Sequence, residues 1–181
     1  MILETQGKVL VLSDSHGDVE TMLDIIGHWE NELDAVIFTG DGAEDLVEAA
    51  FIFKDLSFYA VTGNNDRMQA PNSRVNFPLE NELVLFGRKI YVTHGHIATY
   101  ALVKQEVLRR ALLAEASIAL YGHLHIPEVY IEDNIARFNS GSIAYPRGSS
   151  DPSYLILDIS AHYLGYQFFH AKSHQKRDIL V

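Results

Sequence analysis

Along the first half of the chain, short and fully apolar runs alternate with segments whose apolar residues recur every three to four positions. Val9–Leu12 is the first run, and Val19, Met22, Leu23, Ile26, Trp29 and Leu33 then mark one face of a helix opening near Asp18. Ala35–Thr39 predicts a second strand. Glu44–Leu56 predicts a second helix, with Leu46, Val47, Ala50 and Phe53 as its stripe, and Phe58–Thr62 a third strand. Strands alternating with helices imply right-handed crossovers and a largely parallel sheet.

The period then changes. Residues 67–81, RMQAPNSRVNFPLEN, are polar and proline-bearing and predict a surface loop. ELVLFGRKIYVTH predicts a hairpin around Gly87-Arg88, with glycine first in a two-residue turn. Thr99–Ala116 is the longest helical segment, and Ile118–Tyr121 another buried strand. EVYIEDNIARF predicts a hairpin through Asp133-Asn134, and SYLILDI pairs with YLGYQFFHA across Ser160–His162. The second half is therefore expected to be mostly antiparallel. Residues 1–181 read as a single domain, with residues 170–181 and their basic run Lys172–Arg177 as a flexible tail.

Composition narrows the class. With 48% hydrophobic and 21% charged residues, the 181-residue chain is ordinary globular material. It carries no basic stretch leading into a long apolar segment, and no run near the roughly 18–20 residues of a membrane span. A soluble, cytoplasmic protein without a membrane partner is expected. The absence of cysteine excludes thiolate metal sites and disulfides. The net charge of −10 argues against broad nucleic-acid binding, which needs a basic face. A homo-oligomer is compatible with all of this.

Chemistry enters where the apolar runs end, in LSDSHGD, FTGDG, VTGNND, YVTHGH and ALYGHLH. The carboxyl ends of parallel strands open onto one crevice, so Asp14, His16, Asp41, Asn64, His94, His123 and His125 are expected to converge. Taken singly, each has an ordinary explanation. Asp14 and Asp41 suit helix caps, the stretch Gly63–Asp66 suits a turn, and a lone histidine suits the core. Taken together they do not, because five of the nine histidines fall in these motifs while His28, His162, His170 and His174 do not. Oxygen and imidazole donors without sulfur suit manganese, iron or zinc. Seven donors exceed one tetrahedral ion and suit two ions sharing a carboxylate, the arrangement that clamps an in-line phosphoryl displacement. Other metal folds fit worse. The Asp-His pair that a metallo-β-lactamase-like site wants after His-x-His is missing, and the chain is too short for an eight-fold barrel.

Asp-x-His (Asp14, His16), Gly-Asp (Gly40, Asp41), Gly-Asn-x-Asp (Gly63, Asn64, Asp66), His-Gly-His (His94, His96) and Gly-His-x-His (Gly122, His123, His125) occur in this order. In that order they resemble the calcineurin-like metallophosphoesterases, and the NSGSIAYPRG segment resembles the small YfcE-type phosphodiesterases among them. The resemblance runs from about Lys8 to Asp158. It implies an α/β fold, a four-layer α/β/β/α sandwich with two mixed β-sheets. It also implies two divalent metal ions, Mn2+ in first place with Fe, Zn, Ni or Mg as alternatives. One ion would take Asp14, His16 and His125, the other Asn64, His94 and His123, with Asp41 bridging. A metal-bridging hydroxide would attack a small phosphoester in line. Many relatives carry a histidine donor after the asparagine; here Asn65 stands there and cannot donate a proton as an acid. His96 is the candidate substitute donor or phosphate contact, and Arg67 a candidate phosphate contact. The implied activity is a phosphodiesterase. A phosphomonoesterase or nucleotidase with the same site, and a non-catalytic scaffold like the retromer subunit, are the alternatives.

Overall fold

The computed structural model describes residues 5–66 and 76–179. Two β-sheets face each other, with helices on both outer surfaces. The first sheet runs in the order β11 (Lys176–Arg177), β10 (Leu164–His170), β9 (Ser153–Ser160), β1 (Gln6–Leu12), β2 (Ala35–Phe38), β3 (Ser57–Ala60), and the second in the order β4 (Glu80–Leu85), β5 (Arg88–Thr93), β6 (Ile118–Tyr121), β8 (Ile135–Ser140), β7 (Pro127–Glu132). In the first sheet β1 (Gln6–Leu12), β2 (Ala35–Phe38) and β3 (Ser57–Ala60) are parallel. There β9 (Ser153–Ser160), β10 (Leu164–His170) and β11 (Lys176–Arg177) extend the sheet antiparallel from β1.

Alternation along β1 explains the layering. Val9 and Val11 pack between the sheets with Ile90, Val92, Leu120 and Phe138, while Leu10 and Leu12 face α1 (Val19–Trp29) and α2 (Ala43–Ile52). Because both faces are covered, the strand reads as a continuous apolar run. On the far side, α3 (Val103–Leu113) lays Val103, Val107 and Ala111 on Tyr91, Ala119 and Tyr121 of the second sheet. This is the expected α/β/β/α sandwich of two mixed sheets.

Several expectations need correction. The second half is mostly antiparallel, as expected, but β5 (Arg88–Thr93), β6 (Ile118–Tyr121) and β8 (Ile135–Ser140) pair in parallel at the centre of the second sheet. Only the edge strands β4 (Glu80–Leu85) and β7 (Pro127–Glu132) run against them. The first hairpin turns at Phe86-Gly87 rather than Gly87-Arg88, because Arg88 pairs with Leu85. Both turn residues take positive φ, 50° and 78°, the type I′ geometry that matches strand twist. Phe86 is held there by packing: its ring fills the space that a side chain at position 7 would need, so β1 carries Gly7. In α2 the buried face is Ala43, Leu46 and Ala49, with Val47 turned to solvent. The segment expected as one helix over Thr99–Ala116 opens as a 3-10 turn, Tyr100–Leu102, before α3. Within the expected tail, Lys176 and Arg177 pair with Phe169 and Phe168, and His174 stacks on His28 at 4.0 Å. Residues 67–75, most of the expected surface loop and including Arg67, lie outside the described residues.

Candidate metal centre

The carboxyl ends of β1, β2, β3, β5 and β6 meet at one end of the sandwich, and backbone hydrogen bonds knit their loops together. Asp14 N donates to the Gly40 carbonyl and His16 N to the Asp41 carbonyl, both at 3.0 Å, and Gly122 N reaches the His94 carbonyl at 3.1 Å. Such close approach needs glycine. A side chain at Gly63 would overlap the Asp41 carboxylate and amide, and one at Gly122 would overlap Ser13 and crowd Asp14. Five donor residues themselves adopt left-handed backbone: Asp14, His16, Asp41, His123 and His125, with φ between 47° and 65°. Asp and His tolerate this region better than most residues, yet each costs on the order of 1 kcal/mol. Strain concentrated on chemistry-bearing residues marks a site that the rest of the fold holds in place.

Among the described residues two groups of ligand-type atoms result, Asp14–His16–His125 and Asp14–Asp41–His94, each with all its atoms within 4.8 Å of one another. Asp14 Oδ1 is 3.0 Å from His125 Nε2 and 3.9 Å from His94 Nε2. Asp41 Oδ2 lies between the groups, 3.4 Å from His94 Nε2 and 3.8 Å from His16 Nε2. His123 joins through its backbone, its N–H donating to Asp14 Oδ2 at 3.2 Å, and its ring stands 5.2 Å from that of His94. His96 belongs to neither group; its ring is 5.4 Å from His94, on the side of the second. Asn65 is engaged with Asp41, donating from N to Oδ1 at 2.7 Å and from Nδ2 to Oδ2 at 2.6 Å.

The rings are aimed by their other nitrogens. His94 Nδ1 contacts the Thr39 carbonyl at 2.8 Å and His125 Nδ1 the Tyr145 carbonyl at 2.5 Å, which directs both Nε2 atoms inward. Burial opposes charge on His94, but Asp41 and Asp14 outweigh it and hold its pKa above the ordinary value. Burial likewise opposes charge on His125, and the adjacent Asp14 carboxylate raises its pKa in turn. His123 goes the other way: burial first, then the charge of His94, lowers it to about 4, so its lone pair is available at neutral pH. Burial alone would raise the Asp41 pKa, yet His94 and the two Asn65 donors hold it well below the carboxylate range.

This arrangement fits a cation. Asp14 Oδ1, Asn64 Oδ1 and His94 Nε2 are buried and meet no hydrogen-bond geometry with any of the described residues, in a protein interior where such atoms are normally satisfied. Asp14 and Asp41 are almost fully buried, 0% and 1% exposed, and bring two negative charges into one site. Divalent ions would satisfy the lone pairs and offset the charge together.

Several supporting residues escaped the sequence reading. Asp66 accepts from four backbone N–H groups: Gly42 and Ala43 at Oδ1, Asp41 and Gly63 at Oδ2. Asp45 accepts from Ser15 Oγ and Gly17 N, and Ser142 Oγ donates to the Asp14 carbonyl. Only Asp66 had a signal, its place in Gly-Asn-x-Asp. Asn65, expected as a vacant acid position, is a positioning residue for Asp41. Asn65→Ala is expected to lower turnover about 10–100-fold, the usual cost of losing a ligand's supporting contact, with melting temperature changed little. Equal turnover in the variant and the parent protein would contradict this role.

Comparison with known proteins follows the same lines. Residues 8–162 match the model of the calcineurin-like phosphoesterase superfamily domain. The probable metallophosphoesterase YsnB of Bacillus subtilis is 30% identical over 94% of this chain and 95% of its own length. Phosphodiesterase YfcE of Escherichia coli K12 is 31% identical over 55% of this chain and 51% of its length. Among solved structures, a predicted phosphoesterase from Streptococcus pneumoniae TIGR4 superposes with a TM-score of 0.79 at 29% identity, over 96% of this chain and 94% of that one. Vps29 of Entamoeba histolytica, solved in complex with zinc, shares the fold with a TM-score of 0.74 at 18% identity, over 94% of this chain and 96% of that one.

Proposed function

The chain belongs to the calcineurin-like phosphoesterase superfamily, and on that footing we propose that it is a phosphodiesterase working with two divalent ions, Mn2+ in first place. The observation that carries this reading is the set of buried, unsatisfied ligand atoms around two adjacent carboxylates. One ion is assigned to Asp14, His16 and His125, the other to Asn64, His94 and His123, with Asp41 shared. Bound there, divalent ions supply a strongly acidified water and a positive field for the phosphoryl oxygens.

The chain's own residues do the rest. Thr39 and Tyr145 carbonyls set the ring orientation of His94 and His125, and Asn65 fixes the Asp41 carboxylate. Arg147 stands over the Tyr100 ring at 5.9 Å, and that ring is 6.2 Å from His123, which supports Arg147 as a proposed phosphate contact. His96 is the proposed proton donor or phosphate contact, at the rim beside His94. The small-phosphoester substrate and the cytoplasmic location belong to the same proposal. No helix among the described residues is long and apolar enough to cross a membrane.

The test is turnover by Mn2+-loaded protein of matched phosphate monoesters and diesters, cyclic nucleotides included. Diesters are expected to exceed monoesters at least about tenfold in kcat/KM. The reverse order would make the protein a monoesterase. No turnover of any ester with both ions bound would leave only a scaffold role.

A further inference from the structure

Beside the Asp14–His16–His125 group lies a cleft of about 470 Å³, bounded by the Gly17–Glu20 turn on one wall and Ala144–Tyr145 on the other, with His16 at its edge. This is the size of ordinary small-molecule sites. Tyr145 is 61% exposed, with its ring edge-on to His16 at 5.6 Å. An aromatic side chain open to solvent beside the candidate reaction centre is free to be covered by a bound group. Its backbone is anchored at both ends, the N–H donating to Ser142 Oγ at 2.7 Å and the carbonyl held by His125 Nδ1. The backbone that carries the ring is therefore fixed, and the ring rests against His16 with a face on which flat groups can stack.

The polar lining has one sign. Asp18 and Glu20 border the cleft, and among the described residues no lysine or arginine does. Asp18 is already engaged, capping α1 through Thr21 N and Thr21 Oγ1. Glu20 is exposed at the start of the helix and presents acceptor oxygens. A second phosphate would be repelled here, whereas N–H or O–H donors would be welcomed.

We propose that this cleft is the subsite for one alcohol of the ester, and that it selects a planar group carrying hydrogen-bond donors, with Tyr145 as stacking platform and Glu20 as acceptor. The proposal rests on the phosphodiesterase reading and deepens it by naming the substrate's shape. It separates this protein's specificity from its chemistry: the metal ligands act on any ester, and Tyr145 and Glu20 choose among them.

The test measures dissociation constants by calorimetry for methyl phosphate, phenyl phosphate and 4-aminophenyl phosphate on Mn2+-loaded protein. Phenyl phosphate is expected to bind about tenfold tighter than methyl phosphate, the scale of one aromatic stack, and 4-aminophenyl phosphate tighter again. Tyr145→Ala should bring the phenyl-to-methyl ratio to within about twofold, Tyr145→Phe should keep it, and Glu20→Gln should remove only the amino group's gain. If Tyr145→Ala weakens methyl and phenyl phosphate by the same factor, Tyr145 acts through His125 alone and the proposal is overturned. A ratio already near one in the parent protein overturns it as well. These readings do not depend on turnover, so an intact ratio without diester hydrolysis would remove the phosphodiesterase reading and leave the subsite standing.

Discussion

Asp41→Asn is expected to abolish turnover, by at least about 10³-fold, and to lower the bound metal, because one carboxylate is assigned to both ions. The loss exceeds that of a supporting residue, for two reasons visible in the structure. Asp41 Oδ2 faces His94 and His16 together, so an amide there cannot serve both groups with the same charge. The new NH2 would also confront a donor, either the Asn65 side chain or its backbone N–H, both of which now give to Asp41. Metal analysis beside diester hydrolysis checks this. Two ions per chain with near-parental turnover would sink the shared-ligand assignment.

Asp66→Ala should have the second-largest effect, this time on stability first. Four N–H groups from the loops after β2 and β3 and the start of α2 converge on this one carboxylate, at 2.6 to 3.1 Å. Hydrogen bonds to a charged group are worth more than neutral ones, and water can replace only part of them. A loss of about 3 kcal/mol is expected, which in a domain of this size corresponds to a fall of roughly 6–12 °C in Tm. Turnover should fall more than 100-fold even at temperatures where the variant is folded, because the Asp41 backbone is no longer held. Asp66→Asn should lie between, since it retains one acceptor oxygen for one of the two N–H pairs. A thermal melt that does not move would show that the four contacts carry no net stability.

What could be read from the sequence divides along a physical line. β1 and β6 were legible because strands covered on both faces must be apolar throughout, and that signature is local. The five polar breaks after strands were legible because Asp, Asn and His stand out against such runs. The turn at Phe86-Gly87 was not, because a phenylalanine takes left-handed backbone only when something distant, here the bare backbone of Gly7, receives its ring. Nor was the buried face of α2, which depends on a start at Ala43 set by Asp66 from another loop. Parallel pairing of β5, β6 and β8 is a choice of neighbours, and periodicity carries no information about neighbours. In the site itself, the supporting groups act through backbone carbonyls and amides, which every residue possesses. Thr39 and Tyr145 aim histidines with carbonyl oxygens, and nothing in their side chains announces it.

The dinuclear assignment is tested most directly by titrating Mn2+ into chelator-stripped protein while following both the ions bound and the hydrolysis of one phosphate diester. The expected result is no turnover in the stripped protein, and activity that climbs chiefly with the second equivalent and levels off at two ions per chain. Full activity in the stripped protein, or saturation of activity at a single ion, would contradict it.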